Sequence, residues 1–374
     1  MTPRRRAPRT TIAEVAKLAG VSTATVSYVF SGSPAARRVS ASTRRKVIRS
    51  AQQLNYVPNS AARGLRTGVR RLLGFYIRQR LLPMAEHPLL SELLSTAAIC
   101  ASQHRYGLAT LVAPQIGHDE DGSFIEIVRS GVVDGLILAG PDYAQEANWL
   151  NEEDFPFIQL DWVYPHSTDI DGAHTGERVS GVHYFGLDTA GSIMTLLAYL
   201  QSIGHRSIGV ALPGGDEPWR RRFISEVHGA CQTIGLGCEP GWHVDIGHWS
   251  AERGASLDED GLKALRKQVL PYVTVIVCAG DHIAVAVIDG LRSVGICVPD
   301  NVSVAGFGGG APARFVRPVL TTTRAELRRI VEIAVGRLID IIEDKAPYPC
   351  ISLFRQELVV GDSTGPPPPG GEVA

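Results

Sequence analysis

The chain has 374 residues, 44% hydrophobic and 20% charged, enough for roughly two or three domains at ~150 residues each, which excludes a small scaffold dependent on disulfides or a structural metal. No apolar run approaches the ~18–20 residues of a membrane-spanning helix, and MTPRRRAPRTTIAEVAKLAG lacks the apolar stretch and cleavage site of a secretory signal, so a cytoplasmic protein with no membrane partner is expected. The net charge of −1 conceals a partition: residues 1–71 carry 15 Lys and Arg against one acid, Glu14, so a head of +14 precedes a body of −15 and is suited to a polyanion.

The first predicted element follows a capping box, Thr11-x-x-Glu14, with Val15, Ala16, Leu18 and Ala19 at helical spacing. Gly20 supplies a turn, and Ser22 caps a second helix with Val26 and Val29 on its inner face, closing near Gly32. This is the spacing of a helix-turn-helix, in which a residue larger than Ala16 would push the two helices apart. A third helix follows Ser40 with Val47, Ile48, Ala51 and Leu54 as its apolar stripe. On the second helix Thr23, Ala24, Thr25, Ser27 and Tyr28 are read as outward, small or hydrogen-bonding, and fit for a major groove.

The phrases TIAEVAKLAGVSTATVSYVFSG, VSASTRRKV and LNYVPNSAARGLRTG together resemble the DNA-binding headpiece of the LacI/GalR family of bacterial transcription regulators, including its Tyr-x-Pro-Asn step at Tyr56, Pro58 and Asn59. The resemblance implies DNA contacts from Ser22, Thr23, Ala24, Thr25, Ser27 and Tyr28, and from Asn59, Ala62, Arg63 and Leu65 of a hinge that becomes helical on DNA. Leu65 takes the position of the family's minor-groove wedge, which unstacks a base step and kinks the duplex. Gly64 lowers the helix stability of that hinge by ~1 kcal/mol relative to alanine, so ordering is expected to need DNA and a partner hinge. Tyr28 departs from the family, which commonly has arginine there; tyrosine lacks arginine's bidentate contact to guanine, so a different half-site is expected.

From about residue 71, strands alternate with helices. Candidate strands are Leu72–Ile77, Gly107–Val112, Asp134–Ala139 and Phe157–Leu160, then Ser207–Leu212, Trp242–Asp245, Val273–Cys278 and Ser303–Gly306, with helices of the second series starting near Asp188, Arg221, Ala251 and Asp281. The fold class expected is a small all-α helix-turn-helix headpiece joined to an α/β core of two doubly wound parallel-sheet lobes. Ligands of such sheets lie beyond the carboxyl ends of the strands.

VVDGLILAG, FIQLD, GLDTAGSIMTLLAYLQSIGHRSIGV, HWSAERG, CAGDHIAVAVIDGLRSVGICVPDNVSVAGFG, RPVLTTT and LVVGDST resemble the same family's effector-binding core, which has the periplasmic-binding-protein fold. By that resemblance the first lobe takes 71–187 plus a return near 323–350, and the second takes 188–322 plus the last strand. Four effector-binding residues are implied: Asp161 as a hydroxyl acceptor or a strand cap, Trp249 as a stacking face or a core residue, Arg222 within Arg220-Arg221-Arg222 as a clamp, and Asp281 as a contact or a helix cap. Gly280 and Gly308 stand where the family has polar side chains facing the effector, so a sugar-like but atypical ligand is expected.

The sequence lacks a phosphate loop, a zinc-protease motif and a nucleophile elbow; its eleven histidines form no ligand-spaced cluster, and the Gly306–Gly310 run reads as a flexible loop. No cofactor, metal or catalysis is expected. The six scattered cysteines read as free thiols. The domain reading is headpiece 1–58, hinge 59–70, core 71–360 and a disordered tail 361–374 without a tetramerising heptad. It points to a homodimeric, effector-controlled regulator of a near-palindromic double-stranded operator; the alternative is a sugar-binding or enzymatic core with a nonspecific basic tail.

Overall fold

The computed structural model describes residues 10–31, 39–56, 69–78, 88–113, 123–140, 143–161, 182–214, 218–246, 257, 259–345 and 349–368. The chain divides into two compact units, Met1–Arg70 and Arg71–Ala374. In the first, α1 (Ile12–Ala19), α2 (Thr23–Ser31) and α3 (Ala41–Gln53) close on a core of Val15, Ala16, Ala19, Val26, Val47 and Ala51. Two stripe residues differ from the sequence reading: Leu18 and Ile48 are exposed. Three short helices form one small core, which covers only the face of each helix that meets both neighbours.

The second unit has two lobes. Its first sheet contains β1 (Leu72–Arg78), β2 (Gly107–Ala113), β3 (Gly135–Ala139), β4 (Phe157–Leu160), β5 (Tyr184–Asp188) and β11 (Ile351–Arg355), in the order β11-β5-β4-β3-β1-β2. All five pairings are parallel. Alternation along β3 shows why both faces need helices. Ile137 and Ala139 join a core with α4 (Pro88–Gln103) and α12 (Leu327–Ile342). Leu136 and Leu138 join another with α5 (Ser123–Arg129) and α6 (Ala144–Glu152).

The second sheet has the order β7-β6-β8-β9, from β6 (Ile208–Pro213), β7 (His243–Ile246), β8 (Val275–Cys278) and β9 (Ser303–Ala305), again all parallel. Its core draws on α7 (Thr189–Ser202), α8 (Pro218–Ile234) and α10 (Asp281–Ser293), and includes an edge-to-face pair of Phe223 and Phe307 with ring centroids 5.8 Å apart. Preceding β8 is α9 (Glu259–Ala264), which runs into a wider π turn, Leu265–Val269. The short α11 (Ala311–Phe315) follows β9.

The chain passes between lobes three times, and polar side chains tie the crossings together. Asp188 ends β5 and caps α7 through Gly191 N at 2.9 Å. Arg355, at the end of β11, donates to the same carboxylate at 3.0 Å. Beside it Gln356 N donates to Ser192 Oγ at 3.0 Å, and Thr323 Oγ1 donates to Gln356 Oε1 at 2.9 Å. Thr323 lies in β10 (Thr322–Arg324), which pairs antiparallel with β12 (Glu357–Val359).

Strands β5, β10 and β11 were absent from the sequence reading, and the first lobe's return extends through Arg355 instead of ending near 350. Residues 361–368 also differ from the expected disordered tail. Ser363 exchanges hydrogen bonds with Val304 and donates its N–H to Val319 O, Gly365 N donates to Ser303 Oγ at 3.0 Å, and Gly365 O lies 3.0 Å from His205 Nε2. Backbone groups of this segment are satisfied by the second lobe, which holds it in place. Residues 369–374 lie outside the described residues, and among those described no helix is long and apolar enough to cross a membrane.

Candidate functional site

Local hydrogen bonds build the helix-turn-helix. Thr11 Oγ1 accepts from Glu14 N at 3.4 Å while Glu14 Oε2 accepts from Thr11 N at 2.6 Å, completing the capping box. These donors hold the Glu14 carboxyl below its ordinary pKa. Gly20, at φ 64°, ends α1 in the left-handed conformation that favours glycine. Its N–H bonds back to Ala16 and Lys17, Val21 N donates to Ala16 O at 3.1 Å, and Ser22 Oγ accepts from Thr25 N at 3.1 Å to start α2.

On α2, Thr23 and Ala24 are exposed, Thr25 is half-buried and Tyr28 is 43% exposed. Ser27 corrects the sequence reading: it is only 9% exposed, one residue round the helix from the core residue Val26. A small hydroxyl suits that close approach but does not present an outward contact. Arg44, Arg45, Lys46 and Arg49 of α3, with Lys17 of α1, give the headpiece an exposed cationic surface. Asn59, Ala62, Arg63, Leu65 and Trp249 lie outside the described residues, as does the helix start expected near Ala251.

In the core, Asp161 follows β4 at the carboxyl edge of the first sheet, where it is 3% exposed and accepts from the Tyr184 hydroxyl at 3.1 Å. Asp281 opens α10 just beyond β8, but Gly280 is the cap and no side chain caps the helix. Its carboxylate instead accepts from Thr322 Oγ1 and from Gly310 N, each at 2.5 Å. Burial pushes its pKa up to about 7, against the opposing influence of those donors. The helix-cap alternative for Asp281 is thereby replaced by a structural role, the carboxylate holding Thr322 and the Gly310 backbone.

The same contacts correct the reading of Gly306–Gly310 as a flexible loop. Gly306 N donates to Thr321 O at 2.8 Å and Gly308 N to Thr323 O at 2.9 Å. A Cβ at Gly306 would sit 2.5 Å from Asp281 Oδ1, and one at Gly309, where φ is +67°, would sit 2.6 Å from the Arg324 backbone. Glycine lets this loop close over the buried carboxylate.

The three arginines at the start of α8 have separate fates. Arg222 Nε donates to Glu226 Oε1 at 2.8 Å one turn along the helix, in a largely buried ion pair. Arg220 is 8% exposed and gives Nη2 to Asp245 Oδ1 at 2.6 Å, while its Nη1 has no hydrogen-bond partner among the described residues. Arg220, not Arg222, lines an open cavity of about 550 Å³ with Leu212, Gly214, Asp245 and Asp260 along the edge of the second sheet. His243 forms part of the same wall. Its ring nitrogen lies 2.9 Å from that of His228, so the fold gathers a histidine pair that the sequence reading did not find. The fold leaves all six cysteines free of disulfides.

Comparison with known proteins follows this architecture. A family model described as bacterial regulatory proteins, lacI family, matches residues 11–59. Another, described as a periplasmic binding protein-like domain, matches residues 197–364. The HTH-type transcriptional repressor PurR of Pasteurella multocida is 27% identical over 356 residues, covering 94% of this chain and 98% of that protein. PurR of Histophilus somni is 27% identical over 363 residues, with coverages of 94% and 98%. Among solved structures, the lac repressor dimer bound to operator and the anti-inducer ONPF has a TM-score of 0.77 at 22% identity, covering 96% of this chain and all of that one. A complex of the transcriptional regulator CelR with cellobiose has a TM-score of 0.63 at 21% identity, with coverages of 95% and 100%.

Proposed function

We propose, from the premise that the chain belongs to the LacI/GalR family of bacterial transcription regulators, that it is a homodimeric cytoplasmic repressor, not an enzyme, which reads a near-palindromic operator under control of a small molecule. The observation that carries this reading is the capped helix-turn-helix, which exposes Thr23, Ala24 and Tyr28 within a headpiece of high positive charge. Cations position the protein on phosphates without regard to sequence, while the exposed α2 face selects bases. Ser22, Thr25 and the hinge residues Asn59, Ala62, Arg63 and Leu65 complete the proposed contact set.

Selection from random double-stranded DNA tests this reading. The expected product is a two-fold-related motif whose binding weakens steeply between roughly 50 and 200 mM salt. Salt-insensitive binding without a motif would leave the regulator reading without support. In the same assay Tyr28→Arg is expected to introduce a preference for guanine at one symmetric pair of positions, because arginine matches O6 and N7 together. An unchanged motif would place Tyr28 away from the bases.

The two lobes, tied at Asp188, Ser192, Thr323, Arg355 and Gln356, supply the bistable element such regulation needs. Asp161 and Trp249 are proposed to contact the effector, with Arg220 taking the clamping role expected of Arg222; its unpartnered Nη1 favours a ligand bearing an acceptor or an anionic group. A compound that raises the melting temperature of the wild type and shifts operator affinity is expected to do neither in Arg220→Gln or Asp161→Ala. Undiminished effects in both variants would put the effector elsewhere.

A further inference from the structure

The second lobe brings together three soft or borderline metal-binding side chains distant in sequence. His228 lies on α8, Cys238 follows that helix, and His243 opens β7. His228 Nε2 and His243 Nε2 are 2.9 Å apart, with the rings edge to face at 72°. These nitrogens and a Cys238 ligand atom lie within 4.8 Å of one another.

We propose that this cluster is a zinc site: His228, Cys238 and His243 bind Zn²⁺ directly, and solvent completes the tetrahedron. Zn–N bonds of ~2.0–2.1 Å and Zn–S bonds of ~2.3 Å place tetrahedral ligand atoms roughly 3.3–3.8 Å apart. The 2.9 Å nitrogen pair therefore opens by a few tenths of an ångström, and the widest separation closes by about 1 Å, within reach of side-chain torsions. Mixed imidazole and thiolate donors favour zinc over calcium or magnesium, which prefer oxygen. On binding, the cysteine ligand loses its thiol proton, and the histidine that donates from Nε2 shifts its own proton to Nδ1.

The backbone fixes all three connections of the site. Gly237, just before Cys238, exchanges hydrogen bonds with Arg206 and Ile208, and His243 pairs with Val210 of β6. Zinc would therefore staple the edge strand β7 to α8. His243 also lines the cavity that holds Arg220 and Asp245, so the staple would stiffen one wall of that cavity. The site does not depend on the DNA-binding reading.

The full-length chain, reduced and freed of metal with a chelator, is titrated with Co²⁺ as the spectroscopic probe. One equivalent per chain is expected, with thiolate-to-cobalt charge transfer and the intense visible bands of a tetrahedral site, and Zn²⁺ is expected to displace it. Cys238→Ser should lose the charge-transfer band, His228→Gln and His243→Gln should each weaken binding at least tenfold, and Cys297→Ser, at an exposed cysteine, should change nothing. Circular dichroism checks that each variant is folded. A wild type without tetrahedral Co²⁺ bands overturns the proposal, as does undiminished binding in the double variant Cys238→Ser/His243→Gln. Recovery of a Cys231–Cys238 disulfide from the chain purified under reducing conditions would likewise overturn it, because the thiols would then serve each other.

Discussion

Val26→Asp is expected to abolish operator recognition, with affinity for the selected site falling at least ~10³-fold to the level of nonspecific DNA. Val26 is fully buried in a small core that comprises six buried apolar residues among those described, with Val15 and Ala16 of α1 and Val47 of α3 among its neighbours in that cluster. A carboxylate there would have to be desolvated without a partner, and a unit this small has little stability in reserve. The fluorescence anisotropy of labelled operator measures the loss. Calorimetry is expected to retain the transition of residues 71–374, which form a compact unit of their own. Thr23→Ala, on the exposed face of the same helix, should preserve headpiece folding while weakening specific binding. Binding by Val26→Asp within a few-fold of wild type would mean that the three-helix unit does not read the DNA.

Stability between pH 7 and 4.5 is expected to change less in the wild type than in single variants, because two buried groups of the second lobe oppose each other. His205 donates from Nε2 to Gly365 O at 3.0 Å and accepts at Nδ1 from Thr274 Oγ1 at 2.7 Å, a neutral arrangement, and burial pushes its pKa down to about 4. The unfolded chain protonates that imidazole near pH 6.5, so His205 removes stability as the pH falls below that value. Asp281 has the opposite sign. Its folded pKa near 7 lies above the unfolded value, so the folded form holds a proton that the unfolded form releases, and stability rises as the pH falls from 7 towards 4. Each contribution is on the order of 2–3 kcal/mol over this window.

Single variants are expected to expose the two slopes. Asp281→Asn should lose stability progressively on acidification, while His205→Gln should gain it, as measured by urea midpoints at a series of pH values. His183 and His243, also lowered by burial, reinforce the His205 side of the balance. Parallel pH profiles for both variants and the wild type would show that neither group titrates in this range.

Local chemistry explains what the sequence made visible. Thr11, Glu14, Gly20 and Ser22 act on groups within four residues, so their roles can be read in one dimension. The strand-helix alternation of the core was legible for the same reason, since β1, β3, β4 and β8 are buried apolar runs. Strand β11 was not, because it is an edge strand whose Ile351 and Leu353 remain exposed. Strand β5 is short, carries Gly186, and runs directly into the Asp188 cap, so it resembled the approach to a helix.

The misread site residues depend on distant partners. Ser27 is buried by the assembly of the headpiece, and no periodicity within α2 separates it from Tyr28. Asp281 meets Thr322 across 41 residues, and the glycines of 306–310 acquire their purpose only when that carboxylate lies beneath them. His228 and His243 match no common ligand spacing; β7 must fold beside α8 before the pair exists.

A nuclease footprint of the full-length chain across fragments of its source genome tests most directly whether the headpiece reads sequence. The account predicts discrete protected sites with two-fold-related halves about one helical turn apart, protected at salt concentrations that abolish background binding, and lost in Val26→Asp. Diffuse protection that follows DNA concentration alone, unchanged in Val26→Asp, would contradict it.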